Sequence, residues 1–265
     1  MRRLRTARAP DPDESARLGF DRDDLEGSAI GPVADELPSL RPFGADIPGM
    51  VLAEPPGTAL PESIRVPRQA RELAEIGRRL DAMLLLRRYL DEAPSDAAAR
   101  TLLADFLDEN DDQEAALEEL TRALAESGDP VPALVRRGAI FARSGRTAEA
   151  ERDLRAAIRQ RSDHAPAHFH LGLALLRRGV GTEATGAFRE VLRLDPDHAD
   201  ATFYLGEALA GQGDLLGALA VLERAVVLRP HEPRTFKLMG RLLDRLGRTD
   251  EAMAMHRRAR EAGVR

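Results

Sequence analysis

Three histidines, His164, His168 and His170, stand close enough together to suggest metal chemistry. His164 and His168 are four residues apart, and on a helix that spacing brings two imidazoles to one face. A zinc site needs at least a third protein ligand and a supporting second shell. The chain has no cysteine, and no third ligand stands at metal spacing beside the pair. His164, His198 and His231 also fall in equivalent segments of a repeating pattern, which accounts for His164 without a metal. Other catalytic signatures are missing too. There is no phosphate loop ending in Gly-Lys-Ser/Thr, no Gly-x-Ser-x-Gly elbow and no cysteine nucleophile. The sequence therefore predicts no metal, no cofactor and no enzymatic activity.

Arginine is the second chemistry on offer, since Lys237 is the single lysine among 39 Lys and Arg residues. Arginine suits carboxylate and phosphate partners. Yet 45 Asp and Glu oppose these cations and leave a net charge of -6, whereas phosphate recognition calls for a strongly basic face. Nucleic acid is therefore not expected as a partner. Most of the arginines should be solvated or paired with Glu and Asp across helix surfaces. The absence of Cys excludes disulfides and suits a reducing compartment. Met1 to Arg8 is basic, but no apolar run of signal-peptide length follows it. The longest apolar run, Ala82 to Leu86, is too short to enter a bilayer as a span. These features predict a cytoplasmic chain with no membrane insertion.

The elements behind these residues show themselves as a period. His168-Phe169-His170-Leu171-Gly172 is followed 34 residues on by Thr202-Phe203-Tyr204-Leu205-Gly206. The same interval links Gly138, Gly172, Gly206 and Gly240, and also Ala82, Ala116, Ala150, Ala184, Ala218 and Ala252. A turn glycine recurs as Gly77, Gly145, Gly179, Gly213 and Gly247, with Asp111 standing in once. Pro94, Pro196 and Pro230 share one further register. Each set has a steric reason. Small residues let two antiparallel helices approach closely, the turn glycine supplies a left-handed conformation, and the proline stops the second helix. A fixed period of this length marks a repeat solenoid. Apolar triplets on the second helix of each unit read Leu86-Tyr89-Leu90, Leu120-Ala123-Leu124, Leu154-Ala157-Ile158, Phe188-Val191-Leu192 and Leu222-Ala225-Val226. They are expected to face the following unit. In the last unit the triplet becomes His256-Ala259-Arg260, a polar outer face with which the solenoid is expected to end at Arg265. Met253 and Met255 nevertheless offer that unit an apolar patch for self-association.

These registers resemble the tetratricopeptide repeat family over about six units. The resemblance implies an all-α, right-handed α-solenoid of two-helix 34-residue repeats near 63–96, 97–130, 131–164, 165–198, 199–232 and 233–265. Leu134, His168, Thr202 and Phe236 occupy the register where the family carries Trp, and Ala70 and Ala104 stand where Gly is expected. Residues 1–38 are acidic and Pro-rich and read as a disordered tail. Residues 1–62 hold 9 of the 17 prolines, with 7 basic against 12 acidic residues. Residues 39–62, carrying Phe43, Ile47, Met50, Val51 and Leu52, read as a linker or as an arm docked on the first unit.

The resemblance also implies a function, a protein–protein adaptor binding an extended segment in the concave groove. The family lines that groove with the second, fifth, ninth, twelfth and thirteenth positions of each first helix, with the sixth nearby. Carried over, these are Asp105, Asp108 and Glu109, then Arg136, Ala139, Ala142 and Arg143. Phe169, His170, Leu173, Leu176 and Arg177 follow, then Phe203, Tyr204 and Glu207, and finally Lys237, Arg241, Asp244 and Arg245. Phe169, Phe203 and Tyr204 would anchor a partner segment that carries apolar and acidic side chains. The family's carboxylate clamp needs two Asn, and this chain has one, Asn110, so no chaperone-tail ligand is implied. The rival expectation is a structural subunit held through the convex face or the termini. The acidic stretch Asp21 to Glu26 is a candidate to fold back and compete for the groove.

Overall fold

The computed structural model describes residues 60–263. The expected tail over 1–38, its acidic stretch Asp21 to Glu26, and residues 39–59 of the expected arm lie outside them. The described residues form twelve α-helices and no strand. These are α1 Glu62–Glu75, α2 Arg79–Glu92, α3 Ala97–Glu109, α4 Gln113–Glu126, α5 Val131–Arg143, α6 Thr147–Gln160, α7 Ala165–Arg177, α8 Gly181–Leu194, α9 Ala199–Gly211, α10 Leu215–Leu228, α11 Pro233–Arg245 and α12 Thr249–Ala262. Each odd-numbered helix pairs with the even-numbered helix after it, and alternate helices also touch, α1 with α3 through to α9 with α11. This is an α-solenoid of six hairpins.

Local signals explain the boundaries. Asp96, Asp112 and Asp214 accept hydrogen bonds from the backbone N–H groups of Ala99, Ala115 and Gly217, which satisfies an otherwise orphaned donor at each helix start. His164 and His198 do the same work for α7 and α9, each with Nδ1 accepting from the N–H three residues on. Every odd-numbered helix ends in a left-handed residue, and the five glycines at that register have φ between 73° and 87°. Asp111 takes the place of a sixth with φ 63°, the stand-in that the period predicts.

Inside each hairpin one contact recurs. A Cβ placed on Gly138 would lie 2.6 Å from Leu154, one on Gly172 2.6 Å from Phe188, and one on Gly206 2.8 Å from Leu222. In the first two hairpins Ala70 and Ala104 hold this register, wholly buried, opposite the buried Leu86 and Leu120. The leading residue of the second-helix triplet therefore packs inside its own hairpin, and Phe188 also reaches the following unit, as expected, by stacking on Tyr204 of α9. His256 follows suit: a Cβ on Gly240 would meet its ring at 2.5 Å, and its Nε2 is 3.0 Å from Asp244 Oδ2. Ala259 is buried, so only Arg260 of the last triplet is an exposed polar residue.

Between hairpins, the odd-numbered helices bury a second apolar face. Ala99, Leu103 and Phe106 of α3 recur as Ala167, Leu171 and Ala174 of α7 and as Ala201, Leu205 and Ala208 of α9. In α1 the same registers hold Arg65, Gln69 and Glu72.

Candidate partner-binding groove

Because odd-numbered helices touch one another, residues at equal registers form rows across α3, α5, α7, α9 and α11. At the α3–α5 end the charges close on themselves. Arg136 Nε lies 3.1 Å from Asp105 Oδ1, and Arg143 Nη2 donates to both carboxylate oxygens of Asp108. Burial pushes the Asp105 carboxyl up to about 6, against the opposing pull of the Arg136 guanidinium. Next along, Arg177 Nη1 donates to the backbone carbonyl of Ala142. His170 sits behind this row, and burial together with Arg136 and Arg143 pushes its pKa down to about 4, so its ring is neutral near pH 7.

The centre is aromatic. Phe169 is half-buried and lies edge-on to Tyr204, with ring centroids 5.9 Å apart, and 5.0 Å from the His198 ring. Tyr204 stacks on the buried Phe188 at 5.8 Å. Leu173 is half-buried beside this cluster, and Glu207 is half-buried without an ion pair among the described residues. Phe203 departs from the expectation of an anchor. It is 8% exposed, and the Arg234 guanidinium covers its ring at 4.6 Å, so packing uses up its surface.

At the far end α11 presents Lys237, Arg241 and Arg245, four residues apart and all exposed. None of the three pairs with a carboxylate among the described residues. Arg136, Arg143 and Arg177, expected as open cations, are tied to neighbouring helices; Lys237, Arg241 and Arg245 are not.

Asp200 and Arg234 were missed by sequence reasoning. Asp200 accepts from both Arg229 and Arg234, and these pairs hold its carboxyl below the usual range although burial acts in the opposite sense. A signal existed, because both residues stand 34 apart at the second position of their helices, one of the positions expected to line the groove. The three clustered histidines do not converge. His164 caps α7, His168 Nε2 is 2.8 Å from the Ser162 carbonyl oxygen, and His170 lies on the opposite flank beside Arg136 and Arg143. Among the described residues no three His, Asp or Glu side chains gather as a metal site would need. No described helix is long and apolar enough to cross a membrane.

A family model described as tetratricopeptide repeat matches residues 68–130, 135–184 and 181–233, more than half of the chain. The chain belongs to the tetratricopeptide repeat family. Solved structures agree on the fold. PilF of Pseudomonas aeruginosa superposes with a TM-score of 0.65 at 21% identity, over 73% of this chain and 88% of that one. MamA from Desulfovibrio magneticus RS-1 gives 0.60 at 21% identity, over 63% and 95%. YrrB, described as a tetratricopeptide repeat protein with an unusual peptide-binding site, gives 0.57 at 20% identity, over 67% and 91%. At these identities the likeness speaks for the fold alone. No curated protein matches the chain in sequence. Proteins of this repeat family generally mediate protein–protein interactions.

Proposed function

We propose that this chain is a non-enzymatic, cytoplasmic adaptor that holds an extended segment of a partner protein along the face of its odd-numbered helices. An acidic stretch of the partner meets Lys237, Arg241 and Arg245, and an apolar side chain settles against Phe169, Leu173 and Tyr204. The observation that supports this reading is the open basic row on α11 beside a half-exposed aromatic cluster. Aromatic anchors bury much area at low entropic cost, and unpaired cations steer an acidic ligand. Peptide binding by the structurally similar YrrB is consistent with it.

The second reading is a structural subunit held through the opposite face. It draws on a cleft between α10 and α12, floored by Leu219, Met239 and Leu243 and edged by Leu216, which is 66% exposed.

Affinity purification from the native host, comparing wild type with Lys237→Glu/Arg241→Glu, separates the two. A partner captured by wild type and lost from a variant of unchanged helicity supports the groove. A partner retained by both moves function to the other face.

A further inference from the structure

The odd-numbered helices from α3 to α11 carry six carboxylates, Asp105, Asp108, Glu109, Asp200, Glu207 and Asp244. All but Glu207 have a partner within the stack. Asp105 and Asp108 pair with Arg136 and Arg143, and Glu109 lies 3.0 Å from Arg79. Asp200 accepts from Arg229 and Arg234, and Asp244 meets the His256 ring. Glu207 is half-buried and has no ion pair among the described residues.

Cations are close at hand all the same. Arg241 holds the equal register on α11, with Lys237 and Arg245 one turn to either side. Asp200 and Arg234 are 34 residues apart on these same two helices, and they pair. Glu207 and Arg241 share that interval and stay apart. Partial burial disfavours a charged carboxylate, and a cation brought to it offsets that cost.

The surroundings of Glu207 indicate what it would take. Tyr204 stands one turn before it on α9, and Leu173 holds the equal register on α7, which touches α9. The carboxylate therefore lies between an apolar, aromatic surface and an open basic row. A Lys or Arg side chain suits that place, because its apolar stem can lie along Leu173 and Tyr204 while its charged head meets Glu207. The face of an aromatic ring also attracts a cation.

We propose that Glu207 selects a Lys or Arg in the partner segment and so sets the register in which that segment lies. This rests on the proposed groove function and adds a residue between the two contacts assigned there. Packed helices lie about 8–10 Å apart and an extended chain advances about 3.3 Å per residue, so each step between odd-numbered helices spans about three partner residues. The segment thus places an apolar residue at Leu173, a basic one about three residues on at Glu207, and an acidic one about three further at Arg241. Glu207 also acts by repulsion. An acidic block shifted one helix towards α7 would set a carboxylate against it, and that like-charge contact excludes the shifted register. Half-burial weakens screening by salt, which strengthens both effects.

Selection from a random-peptide display library is the test, run in parallel on the full chain as wild type, Glu207→Gln and Glu207→Lys. Circular dichroism should report unchanged helicity for both variants. Wild type is expected to enrich peptides with a Lys or Arg between an apolar residue and an acidic block. Glu207→Gln should lose the basic preference and keep the acidic one, and Glu207→Lys should prefer Asp or Glu at the basic position. Changing the basic residue of an enriched peptide to Glu should weaken its binding to wild type about tenfold or more, and Glu207→Lys should bind the changed peptide more tightly than wild type does. Acidic peptides enriched with no basic preference, or a preference that Glu207→Lys leaves unchanged, would overturn the role of Glu207 and leave the groove reading standing. Enrichment indifferent to Lys237→Glu/Arg241→Glu, or no enrichment at all, would overturn the groove reading and this inference with it.

Discussion

The α3–α5 end and the α11 end of one face both carry basic side chains, and they use them differently. Arg136 and Arg143 each find a carboxylate one hairpin back, at Asp105 and Asp108. Lys237, Arg241 and Arg245 find none among the described residues, although Glu207 stands 34 residues before Arg241 on the adjacent helix. In a solenoid an arginine's availability is decided by the register of the neighbouring helix more than by its own. The first end binds its charges into the stack, and the second leaves them without a carboxylate among the described residues.

The comparison holds only if the two ends share the same interior, and that carries the largest expected effect. Gly138→Ala and Gly206→Ala each push a methyl to within 3 Å of a buried leucine. Overpacking of this kind costs about 1–3 kcal/mol, of which Ala recovers up to about 1 through its helix propensity. Both variants should therefore lose about 1–2 kcal/mol in chemical denaturation, by similar amounts. A neutral result at one site alone would mean that the hairpins are built differently, and the surface comparison would lose its ground.

Charge reversal is next in size. Lys237→Glu/Arg241→Glu should weaken partner binding about tenfold or more while leaving the melting temperature unchanged, because a few lost charge contacts of about 1 kcal/mol add up to that factor. Arg143→Ala removes an ion pair whose arginine is half exposed, so its effect on stability should stay below about 1 kcal/mol and binding should change little. Calorimetric titration of the captured partner against both variants reads the contrast directly. Equal losses of affinity would erase the distinction between the ends.

What the sequence makes legible here is whatever recurs for a steric reason. The left-handed turn, the small residue facing a leucine or phenylalanine, and Asp111 in a glycine's place can all be read from the period, since backbone geometry imposes the same demand in each unit. The site is less legible because neighbours decide it. Phe169 and Phe203 occupy one register, yet one stays half-exposed and the other lies under Arg234. His164 looks like a ligand by type and spacing, and it caps a helix. Position in the repeat names the row a residue joins, and the adjacent helix determines whether its side chain remains open.

The smallest effect tests the closed end itself, through pH. The ordinary His pKa is 6.5, and His170 is pushed down to about 4, first by burial and then by Arg136 and Arg143. Between those values the unfolded chain takes up a proton that the folded chain refuses, so His170 makes the fold lose stability as pH falls from 7 towards 4. Asp105 acts in the opposite sense. Its pKa is raised from 3.8 to about 6, so between those values the folded chain holds a proton that the unfolded chain releases. Stability from this group is therefore gained as pH falls through 6. The two opposing contributions hide each other in wild type. His170→Gln removes one of them, and relative to wild type it should gain on the order of 1–2 kcal/mol between pH 7 and pH 5 in denaturant titrations. A difference that stays constant across that interval would mean His170 is not held neutral behind the arginine row. The closed end would then be no drier than the open one.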